Sequence, residues 1–151
     1  MKSLIAYYSH TGTTRRAAEA IRAAAGGDLY EIRERDAYPR AYNAVLKRAK
    51  QEIGAGTRPP LQGALPDISG YDVVFVGSPN WWSTIAPPVA SFLDALDFAG
   101  KRIVPFITHG GGGLGRSAAD VRRLCPDAAV EDSFDANRSD RISAMVRSLL
   151  P

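Results

Sequence analysis

Apolar positions along the chain change their period several times, and each change marks an element. Ser3 to Tyr8 is a continuous apolar run of β-compatible residues, which predicts a buried strand. Thr13 to Ala25 places Ala17, Ile21, Ala24 and Ala25 at helical spacing, and Gly26-Gly27 stops it. Leu29, Tyr30 and Ile32 predict a second strand. Tyr42, Val45, Leu46, Ala49 and Ile53 recur at helical intervals and predict an amphipathic helix. Gly54 to Pro66 reads as loop. Asp72 to Gly77 is a strand, and Pro87-Pro88 opens a helix with the stripe Val89, Phe92, Leu93 and Leu96. Arg102 to Ile107 is a further strand, although Pro105 is unfavourable there. Leu114, Ala118, Val121 and Cys125 make a fourth helical stripe, and a short strand follows near Ala128 to Val130. Ile142, Met145, Val146, Leu149 and Leu150 make the last helix. Strand and helix alternate five times. That order predicts one α/β domain over residues 1–151, with a doubly wound, five-stranded parallel sheet and helices on both faces. Ligands of such folds bind outside the carboxyl ends of the strands, so the loops after Tyr8, Gly77 and Ile107 matter most.

Composition narrows the class. The chain has 151 residues, 45% of them hydrophobic, enough for a globular core. Its apolar runs are too short to span a membrane or to form a signal-peptide core, so the expected location is cytoplasmic, with no membrane partner. Cys125 is the single cysteine, which predicts a small buried residue and excludes an internal disulfide. His10 and His109 are the two histidines, and no metal-ligand spacing exists, so no metal is expected. Net charge is +3, unevenly spread: residues 1–50 hold ten Lys/Arg against five Asp/Glu, and residues 51–100 hold one against five. Basic and acidic residues interleave below the density of a nucleic-acid arm, so no nucleic-acid partner is expected.

The first loop, Ser9-His10-Thr11-Gly12-Thr13-Thr14, leaves a strand and opens a helix. Such a turn aims backbone N–H groups and the positive helix end at an anion. Its hydroxyls add donors, and it lacks the lysine of the nucleotide-hydrolase loop. That set suits a terminal phosphate held without metal. The second loop carries Pro79-Asn80-Trp81-Trp82 and ends at Pro87-Pro88. Adjacent tryptophans cannot easily point the same way, so one is expected to face outward and stack on a planar aromatic ligand. The third, Thr108-His109-Gly110-Gly111-Gly112-Gly113, leaves backbone donors open to a flat ring.

These motifs resemble the flavodoxins. Ser/Thr-x-Thr-Gly-x-Thr after the first strand is similar to their phosphate loop. Pro-x-Trp-Trp with a later Pro-Pro, and Thr-His-Gly-Gly after a Pro-Phe strand, resemble a flavodoxin subfamily. So does Tyr38-Pro39 followed by the helix from Tyr42 to Ile53. The resemblance implies a flavodoxin-like FMN protein. Ser9, His10, Thr11, Gly12, Thr13 and Thr14 would hold the phosphate, with His10 contributing its backbone. Pro79, Asn80, Trp81 and Trp82 would wall the ring. Trp82 is preferred as the stacker, since Trp81 would supply a backbone group at the turn, but the sequence leaves both open. Thr108, His109, Gly110, Gly111, Gly112 and Gly113 would meet its polar edge, with His109 in a local hydrogen bond. The flavin would carry the chemistry, with no catalytic side chain.

Two roles follow. One is a low-molecular-weight electron carrier serving a redox partner protein. The alternative is an oxidoreductase taking hydride from NAD(P)H to reduce a quinone or similar small acceptor. The expected assembly is a monomer or weak dimer. The chain lacks the carriers' usual acidic residues and their second flanking aromatic in the third loop. Gly110, Gly112 and Gly115 also satisfy the dinucleotide fingerprint, but the 36 residues after Gly115 are too few for a second mononucleotide half.

Overall fold

The computed structural model describes residues 2–150. In chain order the elements are β1 (Ser3–Tyr7), α1 (Thr13–Ala25), β2 (Asp28–Glu31), α2 (Tyr42–Ala55), β3 (Val73–Trp81), β4 (Thr84–Ile85), α3 (Pro87–Ala95), β5 (Arg102–Thr108), α4 (Ser117–Leu124), β6 (Ala129–Val130), β7 (Phe134–Asp135) and α5 (Ser139–Leu149). The sheet runs β2-β1-β3-β5-β6, and these strands pair in parallel. The chain steps from β1 outward to β2, then returns past β1 to β3. The order therefore reverses between β1 and β3, which sets their carboxyl ends beside each other.

Alternation along each strand feeds two cores. Leu4 and Ala6 of β1, Val74 and Val76 of β3, and Ile103 and Ile107 of β5 face α2, α3 and α4, where they meet Val45, Phe92, Leu93 and Val121. Ile5, Val73, Phe75, Val104 and Phe106 face α1 and α5, where they meet Ala18, Ile21, Ile142 and Val146. Both faces of the central strands are buried, which is why their sequences are continuously apolar. Cys125 is buried in the first core, and burial pushes its thiol up to about 11. Among the described residues no helix is long and apolar enough to cross a membrane.

The expected five parallel strands become five lanes built from six strands, with β4 pairing antiparallel to the end of β3. The last lane is split: β6 pairs with Arg102 and Ile103, and β7 pairs with Phe106 and Ile107. Pro105 explains the gap. The carbonyls of Lys101, Ile103 and Ile107 accept from Ala129, Glu131 and Ala136 on that side of β5. Pro105 shares their parity, so its missing N–H falls where β6 has ended and β7 has not begun.

The second difference lies after Gly77. The predicted loop is a β-hairpin, because β3 continues to Trp81 and β4 pairs back antiparallel, Trp81 with Thr84 and Asn80 with Ile85. Trp82 and Ser83 form its two-residue turn with φ of 56° and 66°. That is the type I′ pattern, normally given to Asn and Gly. Composition alone would not place a hairpin turn on Trp-Ser. The apolar stripes also bury less than their periodicity predicts. Tyr42 and Met145 are exposed, while Val45, Ala49, Ile142 and Val146 are buried.

Candidate functional site

The turn after β1 is set by Gly12, whose φ of 98° admits a glycine without strain. Its N–H donates to Ser9 Oγ at 3.0 Å, and its carbonyl accepts the first helical bond, from Arg16 N–H at 3.1 Å. No side chain caps α1, and its first turn carries no acid. The expected hydroxyls divide. Thr11 and Thr13 lie 3.4 Å apart on the open side. Thr14 turns inward and shares a buried 2.7 Å hydrogen bond with Thr108 at the end of β5. It thus ties the first loop to the third. Arg16, not expected at this loop, brings Nη2 to 3.3 Å from Thr13 Oγ1.

The β3–β4 hairpin sends its two indoles apart. Trp81 is 8% exposed and stands edge-on to three rings: Tyr38 at 5.1 Å, Tyr8 at 5.6 Å and His10 at 5.7 Å. Burial pushes the Tyr8 and Tyr38 phenols far above their ordinary range, and nearby carboxylates add to it, Glu34 at Tyr8 and Glu52 at Tyr38. Trp82 crosses to α2 instead. Its Nε1–H donates to Leu46 O at 2.8 Å, and Lys50 Nζ lies 5.0 Å from its ring centroid. Trp82, the preferred stacker, thus has its indole bonded to α2, while Trp81 holds the inner position. No sequence pattern announces that side-chain hydrogen bond to a helix carbonyl.

The third loop is held from below. Asn137 grips His109 by both backbone groups, Oδ1 accepting from its N–H at 2.7 Å and Nδ2 donating to its carbonyl at 2.8 Å. The His109 ring accepts from Gly111 N–H at Nδ1, 3.1 Å, and donates from Nε2 to Asp135 Oδ2 at 2.7 Å. That bond holds the Asp135 carboxyl below its ordinary value. The Gly111 N–H is thus taken up within the loop. Gly113 offers its carbonyl to Asn80 Nδ2 at 2.8 Å, joining the second and third loops. Asn80 Oδ1 is buried with no hydrogen-bond partner among the described residues. Gly115 packs so closely on the hairpin turn that a Cβ there would lie inside van der Waals contact of Ser83 O.

Together the three strand ends enclose a cleft of about 270 Å³. His10, Thr11, Thr13 and Thr14 line it from the first loop, Pro79, Asn80 and Trp81 from the second, and Thr108, His109 and Gly110 from the third. Trp82, Ser9, Gly12, Gly111, Gly112 and Gly113 lie outside its lining. Ser9 and Gly12 still shape the turn, and Gly113 fixes Asn80. Tyr42 and Val45 of α2 complete the wall. Tyr42 is 73% exposed despite its place in an apolar stripe. A larger cavity of about 340 Å³ lies between α2, β4, α3 and α4, but it draws no residue from the first or third loop.

The chain matches the flavodoxin family over residues 2–146. A search of curated protein sequences returned no match. Among solved structures, a candidate flavoprotein from Bacteroides eggerthii is 37% identical with a TM-score of 0.87, the match covering 97% of this chain and 96% of that one. A Lactobacillus acidophilus flavoprotein, solved in complex with FMN, has the same fold at 22% identity and TM-score 0.82, covering 95% and 97%. An NADH:FMN oxidoreductase shares the fold more distantly, at 18% identity and TM-score 0.55, covering 100% and 91%. Five parallel lanes, a Ser/Thr-Gly turn at the first helix and a cleft at the strand-order reversal agree with this match, and the chain belongs to the flavodoxin family.

Proposed function

We propose that this chain binds FMN in the cleft at the ends of β1, β3 and β5 and serves as a low-molecular-weight electron carrier for a redox partner protein. The observation that carries the reading is the convergence, in one cleft, of a hydroxyl-bearing helix start, a buried indole and a glycine-rich loop. Each suits one part of FMN. The first turn of α1, with Thr11 and Thr13, holds the phosphate through N–H and O–H donors. Trp81 offers an apolar face to the ring, and its three edge-on neighbours hold that face still. Asn80 Oδ1 is a buried acceptor that a bound donor or a water would satisfy. Bound FMN supplies the reversible electron chemistry. The protein's part is to orient the ring, limit water on the Trp81 side and fix the third loop through Asn137 and Thr14.

The cleft of about 270 Å³ is open on one side. The open side, bounded by exposed His10, Tyr42 and Gly110, is where a partner protein would meet the cofactor.

The test has two stages. FMN should quench the tryptophan emission of the apoprotein and bind more tightly than riboflavin. The holoprotein, mixed anaerobically with NADH or NADPH alone, should keep its oxidised flavin spectrum, and it should bleach when a flavodoxin reductase is added. Rapid bleaching by NAD(P)H alone, followed by turnover of a quinone, would replace the carrier with the oxidoreductase.

A further inference from the structure

We infer that Arg16 is a specificity determinant for the phosphate of the cofactor, converting a neutral hydroxyl cradle into a charge-assisted one. This rests on the FMN reading above. The loop Ser9–Thr14 contains no Lys or Arg, and its sequence alone describes an uncharged site. The fold changes that. Arg16 lies one turn into α1, and helical side chains lean toward the N-terminus. Its Nη2 donates to Thr13 Oγ1 at 3.3 Å, and Nη1 lies 3.5 Å from where a Cβ on Gly12 would be. The guanidinium therefore lies beside Gly12 and Thr13, at the border of the cleft that Thr11, Thr13 and Thr14 line.

Two features set Arg16 apart from an ordinary surface arginine. Arg15, beside it, is paired with Glu19 at 3.4 Å, whereas Arg16 has no carboxylate partner among the described residues. The charge also stands at the wrong pole of the helix. The start of α1 is its positive end, and the first turn holds two arginines, no acid and no capping side chain. Cations there are disfavoured in the free protein. A phosphate at the turn reverses the sign of that interaction and occupies the remaining guanidinium donors. By holding Thr13 Oγ1 as acceptor, Arg16 also leaves the threonine hydroxyl hydrogen free to point at the anion.

The experiment compares wild type, Arg16→Gln and Arg16→Lys for binding of FMN and of riboflavin, each at low and high salt. Arg16→Gln should weaken FMN by about tenfold, the effect of one charge-assisted hydrogen bond at a partly solvated site. Riboflavin affinity should not change, and the salt dependence of FMN binding should flatten. Arg16→Lys should restore part of the FMN affinity and its salt dependence. Equal FMN affinity in wild type and Arg16→Gln, or equal weakening of FMN and riboflavin, overturns the assignment while leaving the FMN reading intact. Wild type that binds riboflavin as tightly as FMN overturns the phosphate site itself, and the role of Arg16 with it. The urea midpoint of each variant, expected to match wild type for Arg16→Lys and to match or slightly exceed it for Arg16→Gln, separates loss of a contact from loss of the fold.

Discussion

The buried hydroxyl pair Thr14–Thr108 joins the start of α1 to the end of β5 beneath the cleft, at 2.7 Å. Replacing Thr14 with Val keeps the volume but leaves the Thr108 hydroxyl unpaired. The expected cost is about 1–3 kcal/mol in urea unfolding. Wild-type stability in Thr14→Val would show that another group satisfies Thr108. The two indoles give a second prediction. Trp81 lines the cleft and Trp82 is bonded to Leu46 O on the outside of α2. FMN should therefore quench mainly Trp81. Trp82→Phe should retain most of the quenching and Trp81→Phe should lose most of it; the opposite result would move the ring to the other side of the hairpin. At this scale the sequence was informative where chemistry is local. Thr11, Thr13, Asn80 and Trp81, singled out by their motifs, line the cleft. It was uninformative where a side chain reaches out of its own element. Tyr42 sits in an apolar stripe, and only the approach of α2 to the strand ends turns it toward the cleft.

The β3–β4 hairpin turns on two L-residues with positive φ, Trp82 and Ser83. Each such residue costs about 1–2 kcal/mol relative to glycine. The neighbours hold the turn in place: α2 takes the Trp82 indole, and Arg116 N–H donates to Ser83 O at 2.6 Å. Ser83 contributes no side-chain hydrogen bond to this arrangement among the described residues. Ser83→Gly is therefore expected to stabilise the protein by about 1 kcal/mol in urea unfolding, with FMN affinity unchanged. Destabilisation by the same change would mean that the Ser83 side chain carries packing of its own. The elements also show why strand reading partly fails. Ser78 to Pro88 holds two indoles and three prolines, and composition reads it as loop. Tertiary contacts to α2 and Gly115 make it a hairpin. The missing half of the last lane has a similar cause. Two-residue strands such as β7 have no period to detect, and they pair only because β5 supplies a template. The strands β1 and β5, β3 as far as Gly77, and the five helices depend on burial pattern and were legible.

Over the whole molecule, the aromatic cluster behind the cleft links stability to alkaline pH. The folded protein raises the phenol pKa of Tyr8 and Tyr38, by burial first and by nearby Glu34 and Glu52 next. Below about pH 10 the phenols stay protonated in both states, and their contribution is intact. Above it the unfolded chain ionises while the folded protein holds the proton, so stability falls as pH rises. Urea midpoints should decline from pH 9 to about pH 11. Tyr38→Phe should make the decline shallower, and an unchanged slope would place the linkage elsewhere. The divided last lane has a different consequence. An open sheet ends in strands that can recruit foreign chains, and long flat edges are where proteins aggregate. Here the border beyond β5 is two fragments of two residues each, separated by Glu131, Asp132 and Ser133. Glu131 pairs with Arg102 and Asp132 with Arg122, so charge occupies the break. No incoming strand could find a continuous run of partners along that margin. Pro105, unfavourable inside a strand, thereby helps keep the molecule from growing a sixth lane out of its neighbours.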